Sequence, residues 1–171
     1  MNAQPKEVIR TVAAGDPKVI AALEQRGFII LPISTNQNWL SVNSLNVGQL
    51  LDEDWDLLNE LSPQVVRLKV SGVTLSPRSL EVISQFTELQ ELALNHTTLQ
   101  DDDLSHLNNL HNLHSLNITA TDVSDHGIEE LFSLESIEKI FVFETMVSEA
   151  FSDSLNDSGR LLIERGGYML R

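Results

Sequence analysis

The feature that most constrains this chain is a unit of 24 residues that recurs four times without a gap, over residues 63–158. Aligned on this period, the apolar residues fall in columns. Two of the columns are Val65, Leu89, Leu113 and Ile137, and Leu68, Leu92, Leu116 and Ile140. A single unit of this size cannot bury its own apolar face, so the period indicates units stacked on one another around a shared core.

A fifth segment, residues 38–61, follows the pattern less well and needs Ser62 as one inserted residue to stay in phase. Its inward positions are predicted to be Leu40, Leu45, Leu50, Trp55, Leu58 and Leu61.

Within each repeat the apolar spacing changes from two to three. Leu92 and Leu94 alternate with polar residues, which predicts a short strand with its leucines inward. Leu104, Leu107 and Leu110 then recur every third residue, which predicts a short helix. The resulting consensus, L-x-x-L-x-L-x-x-T-x-L, is the leucine-rich-repeat pattern. It predicts an α/β solenoid, a right-handed βα superhelix with a parallel sheet on the concave face and short helices on the convex face.

Polar residues mark the turns and the helix starts. Threonine recurs after each strand, where its hydroxyl can pair with backbone groups that the turn leaves unpaired. The threonines of this column are Thr97, Thr121 and Thr145. Helix N-caps are predicted at Ser76, Asp101 and Asp125, because short polar side chains satisfy the first backbone N–H groups of a helix.

The whole chain, residues 1–171, is predicted to be one domain. We assign residues 1–36 to an N-terminal helix and strand cap, 37–158 to about five repeats and 159–171 to a C-terminal cap. A terminal repeat needs such a cap, because it would otherwise expose leucines to water.

Local signals divide these caps into elements. Asp16 and Pro17 open a predicted helix over residues 17–25, which Gly27 ends. Residues 28–31 are predicted to form a strand that Pro32 stops, and residues 161–163 a closing strand.

Charge and composition exclude several classes of function. The chain has 11 Lys and Arg against 25 Asp and Glu, a net charge of −14, which disfavours binding to nucleic acid or anionic lipid and favours basic partners. Cysteine is absent, so thiol catalysis and Cys-ligated metals are excluded. Neither a signal peptide nor an apolar run long enough to span a membrane is visible.

The repeats, with turns of the form T-x-[LV]-x-[DE], resemble the bacterial leucine-rich repeats appended to planctomycete-type cytochrome c proteins. LPISTNQNWLSVNS, at residues 31–44, and IFVFETMVS, at 140–148, also carry the resemblance, which covers roughly residues 16–165. It implies a module of a bacterial cell-envelope protein, with a periplasmic or envelope location. Any haem and membrane segments would belong to another part of a longer parent, because this chain has no C-x-x-C-H motif. A chain complete as given would instead be expected in the cytoplasm.

Residues between the inward leucines are expected to point outward, onto the concave face of the sheet. The predicted partner-binding residues are Arg67, Lys69, Glu91, Asn95, Asn117, Thr119, Lys139, Phe141 and Phe143. Phe141 and Phe143 form an apolar spot of the kind found at binding hot spots. The competing interpretation is that the tail of the chain, through Tyr168 and Leu170, covers both rings as part of the C-terminal cap.

We predict no catalytic, cofactor or metal site. Four histidines between residues 96 and 114 lack the three or four convergent ligands that zinc needs. The acidic run 101–103 lacks the spaced ligands of a calcium loop and suits a helix start. No known catalytic motif or convergent carboxylate pair is present.

The sequence therefore predicts a non-catalytic protein–protein interaction module, part of or associated with a cytochrome-containing protein of the bacterial cell envelope. Two alternatives stay open: a self-assembling structural spacer and a free-standing soluble adaptor. The expected partner is a protein, and the chain itself is expected to be a monomer or a weak homo-oligomer that does not insert into a membrane.

Overall fold

The computed structural model describes residues 12–166. Within them, the strands are β1 (Ile29–Ser34), β2 (Gln37–Asn43), β3 (Val65–Lys69), β4 (Glu91–Ala93), β5 (Ser115–Asn117), β6 (Lys139–Phe141) and β7 (Leu162–Glu164). The α-helices are α1 (Pro17–Gln25), α2 (Asp52–Glu60), α3 (Pro77–Ile83), α4 (Asp125–Glu130) and α5 (Glu149–Ser158). Two 3₁₀ helices cover Asp101–Leu107 and Leu131–Ser133.

The strands form one sheet in chain order, from β1 to β7. β1 and β2 are antiparallel, and every later pair of neighbours is parallel. Between β3 and β6 the register advances by the length of one repeat: Glu91 lies between Arg67 and Ser115, and Ser115 lies beside Lys139. The predicted parallel sheet with short helices is therefore confirmed.

The register between β2 and β3 shows where the fifth segment departs from the others. Leu40 lies beside Val65, one residue more than a repeat away, as the insertion of Ser62 predicts. A bulge then shifts the register so that Ser41 lies beside Arg67.

The core is one continuous cluster that extends from Val19 in α1 to Ile163 in β7. The aligned columns supply most of it, and Leu68, Leu92, Leu116 and Ile140 are all buried.

Leu45 departs from the predicted pattern, because its side chain is 66% exposed and Val47 is buried instead. The cause is local. The Asn43 side chain accepts a hydrogen bond from Leu45 N, and Val47 N bonds back to Ser44 O, so a tight turn directs Leu45 outward.

The turn after each strand repeats one conformation. Residues Gly72, His96, Ala120 and Glu144 all have positive φ, between 55° and 70°. The next residue in three of these turns is a threonine whose Oγ1 donates to the carbonyl three residues earlier. The bonds run from Thr97 to Leu94, Thr121 to Ile118 and Thr145 to Val142, at 2.7, 2.6 and 2.7 Å. The predicted role of these threonines is confirmed.

Ser76 is an N-cap, as predicted, and accepts from Ser79 N at 3.2 Å. The predicted N-caps at Asp101 and Asp125 are wrong, because each is the first residue of its helix and the caps are Gln100 and Ser124.

The two aspartates instead join successive repeats. Asp101 accepts bonds from the N–H and the hydroxyl of Ser124, at 2.7 and 2.6 Å, and Asp125 does the same for Ser148, at 2.7 Å each. Gly127 leaves room for this arrangement, since a Cβ there would collide with the Asp101 carboxylate.

The N-terminal elements follow the local signals with one exception. Helix α1 has the predicted bounds, and the Asp16 side chain caps it by accepting from Lys18 N at 2.8 Å. Strand β1 does not stop at Pro32 but continues to Ser34. Proline is tolerated there because β1 lies at the edge of the sheet, where no second strand needs its missing N–H.

Candidate functional site

One face of the sheet carries the side chains that alternate with the buried ones, and we call it the open sheet face. The register places these side chains in two rows that cross the strands. The first row is Leu31, Ser41, Arg67, Glu91, Ser115, Lys139 and Leu162. The second row is Ile29, Asn43, Lys69, Ala93, Asn117, Phe141 and Glu164.

Of the nine predicted binding residues, six fall in these rows: Arg67, Lys69, Glu91, Asn117, Lys139 and Phe141. Asn95, Thr119 and Phe143 each lie two residues beyond the end of a strand, after β4, β5 and β6. The central part of the open sheet face is a shallow depression lined by residues of β2 to β6.

The charged side chains of this face are mostly paired with each other. Arg67 Nε lies 3.0 Å from Glu91 Oε1, with both side chains about half exposed. Lys139 Nζ lies 3.2 Å from Glu164 Oε1 and 4.6 Å from the centre of the Phe141 ring. Exposed pairs of this kind are weak, so a partner can exchange them for its own charges at small cost.

Polar residues at the strand ends and just beyond them hold one another in place. The Ser71 hydroxyl donates to Asn95 Oδ1 at 2.8 Å, and Thr119 N donates to Asn117 Oδ1 at 3.0 Å. Each of these bonds fixes the orientation of an amide, so its remaining donors and acceptor positions are presented in a set direction.

The C-terminal end of the open sheet face carries an apolar cluster. Phe141 is half-buried, Phe143 is 46% exposed and Leu162 on the neighbouring strand is 45% exposed. Gly166, with φ of 71°, lies against the Phe143 ring, and a Cβ at that position would collide with it. We call Phe141, Phe143 and Leu162 the apolar corner.

The predicted cover for these rings, Tyr168 and Leu170, lies outside the described residues. Among the described residues, the Phe143 ring and the Leu162 side chain each keep nearly half of their surface exposed.

Sequence reasoning missed the outer members of the rows, which are Ile29 and Leu31 on β1, Ser41 and Asn43 on β2, and Leu162 and Glu164 on β7. These strands lie outside the regular 24-residue repeats, and Leu162, for example, lies beside Lys139, one residue short of a repeat. Leu161, Leu162 and Ile163 are all apolar, so the sequence alone does not indicate that Leu162 faces outward between two buried neighbours.

Two runs of acidic residues lie at helix starts, away from this face. Residues 52–54 form the first turn of α2, and residues 101–103 the first turn of a 3₁₀ helix. The open sheet face itself carries Arg67, Lys69 and Lys139 against Glu91 and Glu164, so its charge is nearly balanced.

Within residues 12–166, no three His, Asp or Glu side chains converge in a way that could hold a metal ion. His114 and Glu138, on adjacent repeats, are joined by backbone pairing, in which Glu138 N donates to His114 O at 3.0 Å. In the same part of the chain, no helix is both long and apolar enough to cross a membrane.

Comparison with known proteins identifies the fold. No protein-family model matches the chain, and no match is found among curated proteins. The crystal structure of an internalin from Listeria monocytogenes is similar, with a TM-score of 0.50 and 19% identity over 64% of this chain and 32% of that one.

This chain therefore spans about a third of the length of the internalin. The internalin is a leucine-rich-repeat protein, and the likeness shows that this chain has the leucine-rich-repeat fold.

Proposed function

We propose that this chain is a non-catalytic module that binds a protein partner on its open sheet face, with the apolar corner as the anchor. The observation that carries this proposal is the exposure of Phe143 and Leu162 beside Phe141. Aromatic anchors surrounded by polar groups are typical of binding hot spots, and the Asn117, Lys139 and Glu164 side chains supply such a surround.

The parallel sheet makes this surface rigid. Each strand is bonded to its neighbours and carries buried leucines on its other side, so little ordering entropy is lost when a partner binds. The long side chains of Lys69 and Lys139 can add polar contacts to a partner without a change in the backbone.

The net charge of −14 favours basic partners through its long-range field, which raises the rate of encounter at low salt. The nearly balanced charge of the open sheet face means that the contacts themselves need not be basic. We therefore propose a partner with a basic overall charge that inserts an apolar side chain at the apolar corner.

For the wider setting, we propose a role in a bacterial cell-envelope protein that contains a cytochrome domain. The support is the resemblance of residues 31–44 and 140–148 to the repeats of planctomycete-type cytochrome c proteins. Fractionation of the source cells with an antibody and a haem stain tests this. A membrane-bound, haem-positive band much larger than 19.1 kDa is expected, and a soluble haem-free band of about that size would contradict it.

We also propose that α1 and the β1–β2 hairpin serve as the N-terminal cap of a solenoid. In support, Val19 and Leu23 of α1 are buried and belong to the continuous core. The alternative role as a self-assembling spacer requires contacts between copies, and light scattering that finds only monomer at high concentration would exclude it.

Replacing both Phe141 and Phe143 with serine tests the binding proposal. We expect the double variant to lose partner capture from source-cell extracts while its melting temperature stays nearly unchanged, because both rings project from the sheet face that is not buried. A matched control is Phe151→Ser, since Phe151 stacks with Phe132 elsewhere in the molecule, with ring centres 6.5 Å apart.

The control should keep partner capture. If the double serine variant instead unfolds at a much lower temperature, the two rings belong to the cap and the partner role fails. Equal loss of capture in Phe151→Ser would also count against the apolar corner as the anchor.

A further inference from the structure

The outer side of β7 is the last sheet edge in the described chain. In a parallel sheet, alternate residues direct both their N–H and their C=O to the same side. Leu162 N donates to Glu138 O at 2.9 Å and Glu164 O accepts from Val142 N at 2.8 Å, so these two residues face β6. Ile163, between them, therefore directs both of its backbone groups to the open side.

The side chain of Asn156 occupies that open side. Ile163 N donates to Asn156 Oδ1 at 2.7 Å, and Asn156 Nδ2 donates to Ile163 O at 3.1 Å. A carboxamide offers the same donor and acceptor as a peptide group. Asn156, reaching across from the last turn of α5, thus pairs with β7 as one peptide of an eighth strand would.

We propose that Asn156 blocks the edge of β7 against strand addition by a second copy of this chain. An unpaired strand edge is a template for another strand, and natural sheets protect their edges. The β7 strand has three residues, and Ile163 is the only one of them whose backbone faces outward, so a single carboxamide covers the strand. The exposed Leu162 beside it would add apolar contact if the edge were free.

The opposite edge is protected by different means. Leu40 N bonds to Gln64 O, so Leu40 faces β3, and its partner Pro32 on β1 faces the open side of the sheet. Proline has no N–H, so the middle of β1 lacks a donor for an added strand. The two sheet edges are therefore protected in different ways, by a side-chain amide at β7 and by a proline in β1. The protection of both edges supports the proposal that Asn156 blocks strand addition.

The test is Asn156→Ala in the full chain, followed by sedimentation over a wide range of concentration. We expect reversible self-association at least about tenfold tighter than that of the wild type, with a species of twice the monomer mass. Hydrogen exchange should show slower amide exchange in residues 161–165 of the associated form. Asn109→Ala is the matched control, because Asn109 is exposed, and it should behave as the wild type.

A folded Asn156→Ala variant that remains as monomeric as the wild type would overturn the proposal. Association without protection of residues 161–165 would overturn it as well, since another surface would then be responsible. If Asn156→Ala fails to fold, Asn156→Asp keeps the acceptor for Ile163 N and removes the donor to Ile163 O. That variant is expected to associate more tightly than the wild type, and a strictly monomeric Asn156→Asp would contradict edge blocking.

Discussion

The carboxylate of Asp54, in the first turn of α2, is buried, with a side-chain exposure of 2%. Arg26 Nε and Nη2 donate to its two oxygens at 2.7 and 2.9 Å, and Leu51 N donates to Oδ2 at 2.9 Å. Arg26 also reaches Gln49 O, at 3.2 Å. This network joins the end of α1 to the start of α2, so the acidic first turn of α2 also makes a tertiary contact.

The hydrogen bond from Arg26 lowers the pKa of Asp54 below its ordinary value, against the opposing effect of burial. The folded state therefore binds this proton less readily than the unfolded state. The resulting stabilisation is fully present above the unfolded pKa, near 4, and is lost as the pH falls through the lower folded pKa.

Asp54→Asn should lower the free energy of unfolding by about 1–3 kcal/mol at pH 7, because it weakens three charge-assisted bonds at a buried site. The difference from the wild type should shrink as the pH falls below about 4, where the wild-type carboxyl also becomes protonated. Urea unfolding at a series of pH values measures both effects. Asp52→Asn, an exposed neighbour, serves as the control, and an equal loss there would refute a specific role for Asp54.

At the scale of elements, the turns after the strands are the most regular feature of the chain. Gly72, His96, Ala120 and Glu144 occupy one column and share the left-handed conformation. A Cβ in this conformation costs about 1–2 kcal/mol, while glycine pays a smaller penalty in chain entropy. The three side chains that are not glycine are therefore held in place by the surrounding bonds, among them those of the threonines that follow.

Ala120→Gly should raise the free energy of unfolding by about 0.5–1 kcal/mol, and Gly72→Ala should lower it by about 1 kcal/mol. Nothing lies within 4 Å of the Cβ position at Gly72, so its substitution tests backbone strain alone. Chemical denaturation of the two variants measures both changes. Ala93→Gly, in strand β4, should be destabilising, and a gain there would show that the effect is not specific to the turn.

The sequence predicts only part of the hydrogen bonding between successive repeats. The alignment shows Asp101 and Asp125 in one column, and it shows Ser124 and Ser148 in another. It does not show that each aspartate bonds to the serine 23 residues ahead, because helix-capping chemistry gives an equally good local reason for an acid at a helix start. Only the stacking of one repeat on the next brings the two columns into contact.

At the scale of the molecule, the core is one cluster that links both terminal regions to the repeats. Each element touches mainly its neighbours in the chain, so cooperative unfolding depends on the interfaces between successive repeats. The continuous burial from Val19 to Ile163 implies that these interfaces are unbroken.

We predict a single unfolding transition in urea, detected together by tryptophan fluorescence and by far-ultraviolet circular dichroism. Trp39 and Trp55 are the only tryptophans and lie in the N-terminal part, whereas circular dichroism averages over all elements. Both probes should therefore give one midpoint. A fluorescence transition at clearly lower urea would show that the N-terminal elements unfold independently of the later repeats.

The sequence by itself determined the repeat, the strands with their inward leucines, the threonine turns and most of the open sheet face. These features recur at a fixed spacing, so comparison of one repeat with the next reveals them without knowledge of the fold. The tertiary structure alone decided the Arg26–Asp54 pair, the outward turn of Leu45, the exposure of Leu162 and the Asn156 contact with β7. Each of these lies where the period breaks, and there the contacts depend on how the ends of the chain fold against the stack.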